Sequence, residues 1–99
     1  MARFDVYKNP EGSGYLLDVQ ASLLSDLNTR IVVPLLPQSS APAAAAMLNP
    51  MFDLQGKSFV MATQFMAAVP NTLLKIPVMN LEPSRNEITL ALDFLFQGF

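Results

Sequence analysis

From Arg3 to Tyr7 the chain alternates, with Phe4 and Val6 on one side and Arg3, Asp5 and Tyr7 on the other, the period-two signature of a half-buried strand. Asn9-Pro10-Glu11-Gly12-Ser13-Gly14 then gathers turn-forming residues, and Tyr15 to Val19 is extended and mostly apolar, so the two runs are expected to pair as a hairpin. Leu23 and Leu24 stand between polar neighbours, which suits a loop or sheet edge, with the leucines as its anchor, better than a core strand. Arg30 to Leu36 is the most β-prone run, and Pro34 within it cannot donate to a ladder, which predicts a bulge or a free edge there. Residues 37 to 50, with three prolines and five alanines, read as a flexible excursion with a short helical turn at Ala43 to Leu48. Met51 to Leu54 and Ser58 to Ala62 flank Gln55-Gly56-Lys57 as a second hairpin, expected to stand as a small sheet of its own. Apolar character continues from Thr63 to Val69, and Leu73 to Val78 reads as a last strand broken by Pro77.

At Ser84 the period changes from two to about 3.6. Ser84 and Glu87 have the spacing of a capping box, in which each side chain satisfies a backbone N–H at a helix start. Ile88, Ala91, Leu92, Leu95 and Phe99 then recur at spacings of three and four, forming a stripe able to cover a sheet, while Asn86, Asp93 and Gln97 fall elsewhere. Gly98 tolerates the left-handed conformation that ends a helix. Phe99 and the terminal carboxylate are thereby expected to be free as a recognition surface.

Ninety-nine residues suit a single domain spanning 1–99, and 52% hydrophobic against 14% charged residues is a high apolar fraction that points to a buried homodimer face. The net charge of −2 provides no overall electrostatic footprint for nucleic acid, so contact with it is expected only through another protein. With neither cysteine nor histidine, disulfides, thiolate nucleophiles, imidazole bases and the common zinc sites are excluded, and no cofactor, metal or catalytic residue is expected. Asp5 interrupts the place where a signal peptide needs an apolar run, and no stretch reads as a membrane span; the expected location is the cytoplasm. The six methionines suit core filling more than an adaptable binding face.

In order along the chain, Phe4-Asp5-Val6-Tyr7, Leu17-Asp18-Val19-Gln20, Arg30-Ile31-Val32-Val33-Pro34-Leu35, Met61-Ala62-Thr63-Gln64, Met66-Ala67-Ala68-Val69-Pro70, Arg85-Asn86-Glu87-Ile88 and Ala91 to Phe99 resemble the CcdB toxins of bacterial toxin–antitoxin modules. The resemblance implies a mainly β protein with a C-terminal helix: an SH3-like barrel of the kind shared by CcdB and MazF, built as a five-stranded antiparallel sheet with a small wing sheet. It also implies a homodimer that is not an enzyme. Such a toxin inhibits DNA gyrase by binding its A subunit and trapping the cleaved-DNA complex, and a cognate CcdA-like antitoxin neutralises it and joins it in autoregulating transcription.

Carried over by position, the gyrase-binding residues fall on Leu23, Leu24, Asp93, Gln97, Gly98 and Phe99. In the gyrase poison of the family the position of Gln97 holds tryptophan, that of Asp93 asparagine, and that of Phe99 an aliphatic residue. Two other readings follow from the same residues. A non-toxic relative that only binds antitoxin fits Gln97 and Asp93. A MazF-like ribonuclease fits the fold, but Arg3, Arg30, Arg85 and scattered carboxylates supply no grouped acid–base pair.

Overall fold

The computed structural model describes residues 2–41 and 45–98. Among them seven strands form: β1 (Asp5–Lys8), β2 (Tyr15–Asp18), β3 (Thr29–Pro37), β4 (Met51–Leu54), β5 (Lys57–Met61), β6 (Ala67–Pro70) and β7 (Met79–Asn80), followed by one helix, α1 (Arg85–Gln97). Every pairing is antiparallel, and the order β6-β3-β2-β1-β7 is the expected five-stranded sheet, curled as an SH3-like half-barrel. The β4–β5 hairpin forms as expected, but not as a sheet of its own: it continues the same seven-stranded sheet. It is joined to the sheet through the second half of β3, where Leu35 pairs with Met61 and Pro37 with Phe59.

Pro34 explains why β3 can serve two partners along one edge. In an antiparallel strand the N–H and C=O of a residue face the same neighbour. The Pro34 carbonyl accepts from Ala62 N–H, so the donor that proline lacks faces that edge too, in the gap between β6, which pairs as far as Val32, and β5, which begins at Leu35. The chain crosses this gap in a 3-10 turn at Thr63–Phe65. The buried Asn49 pins the crossing by donating to Met61 O (2.9 Å) and Gln64 Oε1 (2.7 Å), a role that its proline- and alanine-rich surroundings concealed. The helical turn expected at Ala43 to Leu48 lies partly outside the described residues; within them, Asn49 N–H bonds Ala45 O.

Two turns rest on special backbone geometry. Gln55 and Gly56 both have positive φ, 55° and 82°, as the two-residue turn of a tight hairpin requires. Gly14, with φ 93°, lies so close to β3 that a Cβ there would meet Leu35 O at 2.3 Å.

Alternation places Val6, Leu17, Val33 and Leu35 on the face covered by α1, where Ile88, Ala91 and Leu92 complete the main core with Phe52, Phe59 and Met61. Tyr7, Leu16 and Val32 point the other way and are closed over by Leu74, so β1 is buried on both faces rather than one. Leu73 to Val78 does not form the strand expected of it. With Pro77 unable to donate, pairing with β1 is confined to Met79 and Asn80, and Ile76 stays 79% exposed.

The capping box also fails to form, since Ser84 makes no side-chain hydrogen bond at the helix start. A 3-10 turn at Glu82–Ser84 runs directly into α1, so the Leu81 carbonyl accepts the Ser84 N–H that Glu87 would have served, and the Glu82 carbonyl accepts the next one, of Arg85. Asn80 starts this turn by accepting from Glu82 N–H at 2.8 Å. At the other end Gly98 takes φ 79° and donates to Phe94 O, as the sequence leads one to expect.

Candidate functional site

At the end of the sheet where β2 finishes and β3 begins, an apolar groove of about 610 Å³ opens between the 3-10 turn at Ser22–Leu24 and α1. Leu24 and Leu27 line it from the loop, Ile31 from β3, Met66 from the β5–β6 crossing, and Leu92 and Phe96 from the helix. Arg3 also lines it; its Nε donates to Val19 O at 3.1 Å and its guanidinium carbon sits 4.8 Å from the centre of the Phe4 ring.

The turn carrying Leu24 is held by a relay of buried polar groups. Asp18 and Arg30 are fully buried, and Asp18 Oδ2 receives both Nε and Nη2 of Arg30 at 2.8 Å. The Nη2 approach has the distance of an ion pair without hydrogen-bond alignment, and Nη1 has no partner, so the guanidinium is only partly satisfied. Asp18 Oδ1 accepts from Gln20 N–H, Gln20 Oε1 accepts from Ile31 N–H, and Gln20 Nε2 donates to Leu24 O at 3.1 Å. The loop is therefore anchored through Gln20, whereas the sequence suggested the leucines as anchors. Leu23 is 91% exposed and holds nothing.

Burial raises the Asp18 carboxyl above its ordinary 3.8, outweighing the Gln20 N–H and the Arg30 guanidinium that pull it down. On the same face, burial first, and then the charges of Asp5 and Asp18, push the Tyr7 hydroxyl up to about 12.

Of the six residues singled out from the sequence, Leu24 lines the groove, Leu23 projects beside it, and Gln97 and Gly98 are exposed at the helix end without lining it. Asp93 is half-buried rather than fully exposed and makes no ion pair among the described residues. Phe99 lies outside the described residues. Sequence reasoning missed Phe96, which is 70% exposed, and Leu27. Phe96 follows Leu92 by four residues, so it flanks the core stripe, and that spacing was the available signal.

Nothing in the groove suggests general acid–base chemistry, and no group of three or more His, Cys, Asp or Glu able to hold a metal occurs among the described residues. No helix among them is long and apolar enough to cross a membrane.

The sequence profile of the family described as CcdB protein matches residues 3–98. The chain belongs to the CcdB family. It is thereby placed among the toxins of toxin–antitoxin modules. A solved structure described as an endoribonuclease in complex with its cognate antitoxin from a mycobacterial species superposes with a TM-score of 0.75 at 16% identity, covering 97% of this chain and 94% of that one. At that identity the likeness concerns the half-barrel and helix shared by the two proteins.

Proposed function

We propose that this CcdB-family chain is a non-enzymatic toxin that acts as a homodimer, inhibits DNA gyrase by binding its A subunit and trapping the cleaved-DNA complex, and is neutralised by a cognate antitoxin with which it autoregulates its operon. The observation carrying the proposal is the groove in which Leu24, remote in sequence, meets Leu92 and Phe96 of α1. A charge-poor depression walled by large apolar side chains is a surface that a partner can desolvate at little cost. Gln97 and Gly98, exposed at the helix end, extend it toward the terminus.

Calorimetric titration of the gyrase A dimerisation fragment tests this reading. The wild-type chain is expected to bind, and deletion of Gly98 and Phe99 to abolish binding while the protein stays folded. Gln97→Trp is expected to strengthen binding by about 1 kcal/mol if an arginine faces it, because an indole stacks on a guanidinium where an amide does not. Asp93→Asn should give a smaller gain by removing a charge that binding desolvates. Absence of binding by all variants, Gln97→Trp included, would remove gyrase as the target and leave the antitoxin-binding relative as the better account.

A further inference from the structure

The opposite end of the same strands holds a second concavity of different chemistry, a cleft of about 830 Å³ between the β1–β2 turn and the β4–β5 hairpin. Lys8 lines it from the end of β1 and Lys57 from the start of β5. The chain has six cationic side chains against eight acidic ones, yet none of the eight lines this cleft. Glu11 shares the β1–β2 turn without lining it, and Asp53, which also lies outside the lining, accepts a hydrogen bond from Ser58 Oγ. Neither lysine forms an ion pair among the described residues, whereas Arg30 and Arg85 both do. Net charge averaged over the chain hides this local concentration of positive charge.

We infer that the cleft binds single-stranded nucleic acid, with Lys8 and Lys57 taking backbone phosphates and the ring of Tyr15 offering a stacking face. Three observations favour that ligand. Lys8 pairs with Tyr15, Tyr15 with Leu35, and Pro37 with Phe59 two residues beyond Lys57, so three strand spacings, about 14 Å, separate the lysine-bearing strands. A polyanion with phosphates spaced along an extended backbone can meet lysines on both sides of the cleft. Tyr15 is half-buried and its ring packs against that of Phe59 in a T-shaped pair, centres 5.1 Å apart, which orders it before any base arrives. Finally, β2, β3 and β5 are paired on both edges here, so none of these three offers a free backbone ladder to an extended peptide, while the amides and hydroxyls of Asn9, Ser13 and Gln38 line the cleft. This site is independent of the gyrase reading, which concerns the other end of the sheet.

The test is fluorescence anisotropy of a fluorescein-labelled hexauridylate titrated with the full chain. Saturable binding is expected at about 50 mM salt, with affinity falling about sevenfold by about 200 mM, as neutralisation of two phosphates requires. Lys8→Ala combined with Lys57→Ala should weaken binding at least tenfold without moving the thermal midpoint, while Lys75→Ala, away from the cleft, should match the wild type. Absence of saturable binding at low salt, or equal binding by the double variant, would overturn the inference. So would competition by uridine monophosphate as effective as that of the unlabelled hexamer, which would mean a mononucleotide site. Displacement by hexaglutamate at concentrations at or below those of the hexamer would instead assign the cleft to an acidic protein segment.

Discussion

The two ends of β2 and β3 differ in how their surfaces are built. Where β2 ends and β3 begins, a fully buried ion pair and the Gln20 side chain hold a loop across a groove from α1, and what faces outward is leucine and phenylalanine. At the other end, order comes from backbone geometry, in the close approach of Gly14 to β3 and the positive-φ pair Gln55–Gly56, and what faces outward is lysine, amide and hydroxyl. An interior polar relay leaves apolar groups free to be spent on a surface, and a backbone-determined turn does the same for polar ones. The same sheet can thus present two unlike recognition faces without either being the core.

The strongest way to break the contrast is Asp18→Asn. It leaves the Arg30 guanidinium buried without a counter-charge and should cost about 3–5 kcal/mol by urea unfolding. The groove should loosen with it, because a single amide oxygen cannot accept from both Gln20 N–H and Arg30, and one of these donors is left facing an NH2. A loss below about 1 kcal/mol would mean that this end is held by something other than the pair. The matching lesion at the polar end is Gly14→Ala. A side chain at φ 93° aimed at Leu35 O should cost about 3 kcal/mol, combining left-handed strain with displacement of the carbonyl. Thermal unfolding would read it, and an unchanged midpoint would show that the β1–β2 turn is softer than its geometry suggests.

A gentler probe is pH. The Tyr7 hydroxyl has a pKa of about 12 in the folded chain against 10.0 for an ordinary tyrosine, so between these values the folded state keeps a proton that the unfolded state has lost. The stabilisation is fully present below pH 10 and lost as pH rises through 12, by up to about 2–3 kcal/mol. Tyr7→Phe should remove that component of the alkaline decline in chemical denaturation. A decline of equal slope in the variant would place its origin elsewhere. The smallest effect on stability should come from Phe96→Ser, within about 0.5 kcal/mol because the ring is mostly exposed. The same change should abolish gyrase A binding in the calorimetric titration if the groove is used as proposed.

Strands β1 to β5 were legible because hydrophobic alternation reports burial directly, and the Pro34 anomaly because a missing donor has only a few possible homes, whereas β6 showed only as continuing apolar character and β7 lay beyond the strand expected at Leu73 to Val78. Less visible were features that depend on pairings distant in sequence. Arg30 opens a β-prone run and looks like a surface residue, yet it is buried because Asp18 lies across the sheet from it. Ser84 and Glu87 have the right spacing for a cap, but a 3-10 turn started by Asn80, itself tied to Asp5 across the sheet, supplies the carbonyls first. For the candidate site, Leu24 and the helix end could be singled out separately. Their convergence on one groove with Phe96 required the tertiary structure, as did the clustering of Lys8 with Lys57.

The central position of β3 also bears on the order in which the chain can fold. β1, β2 and β3 follow one another through local turns, so their ladders close early at small loop entropy. By contrast β6 pairs Thr29 with Pro70, and β7 ties Asn80 to Asp5 across 75 residues, contacts that can form only after the meander exists to receive them. Substitutions in the β2–β3 ladder are therefore expected to slow refolding, and those at Met79 or Asn80 chiefly to hasten unfolding. In stopped-flow experiments that asymmetry would mark β3 as the template and the last strand as the latch.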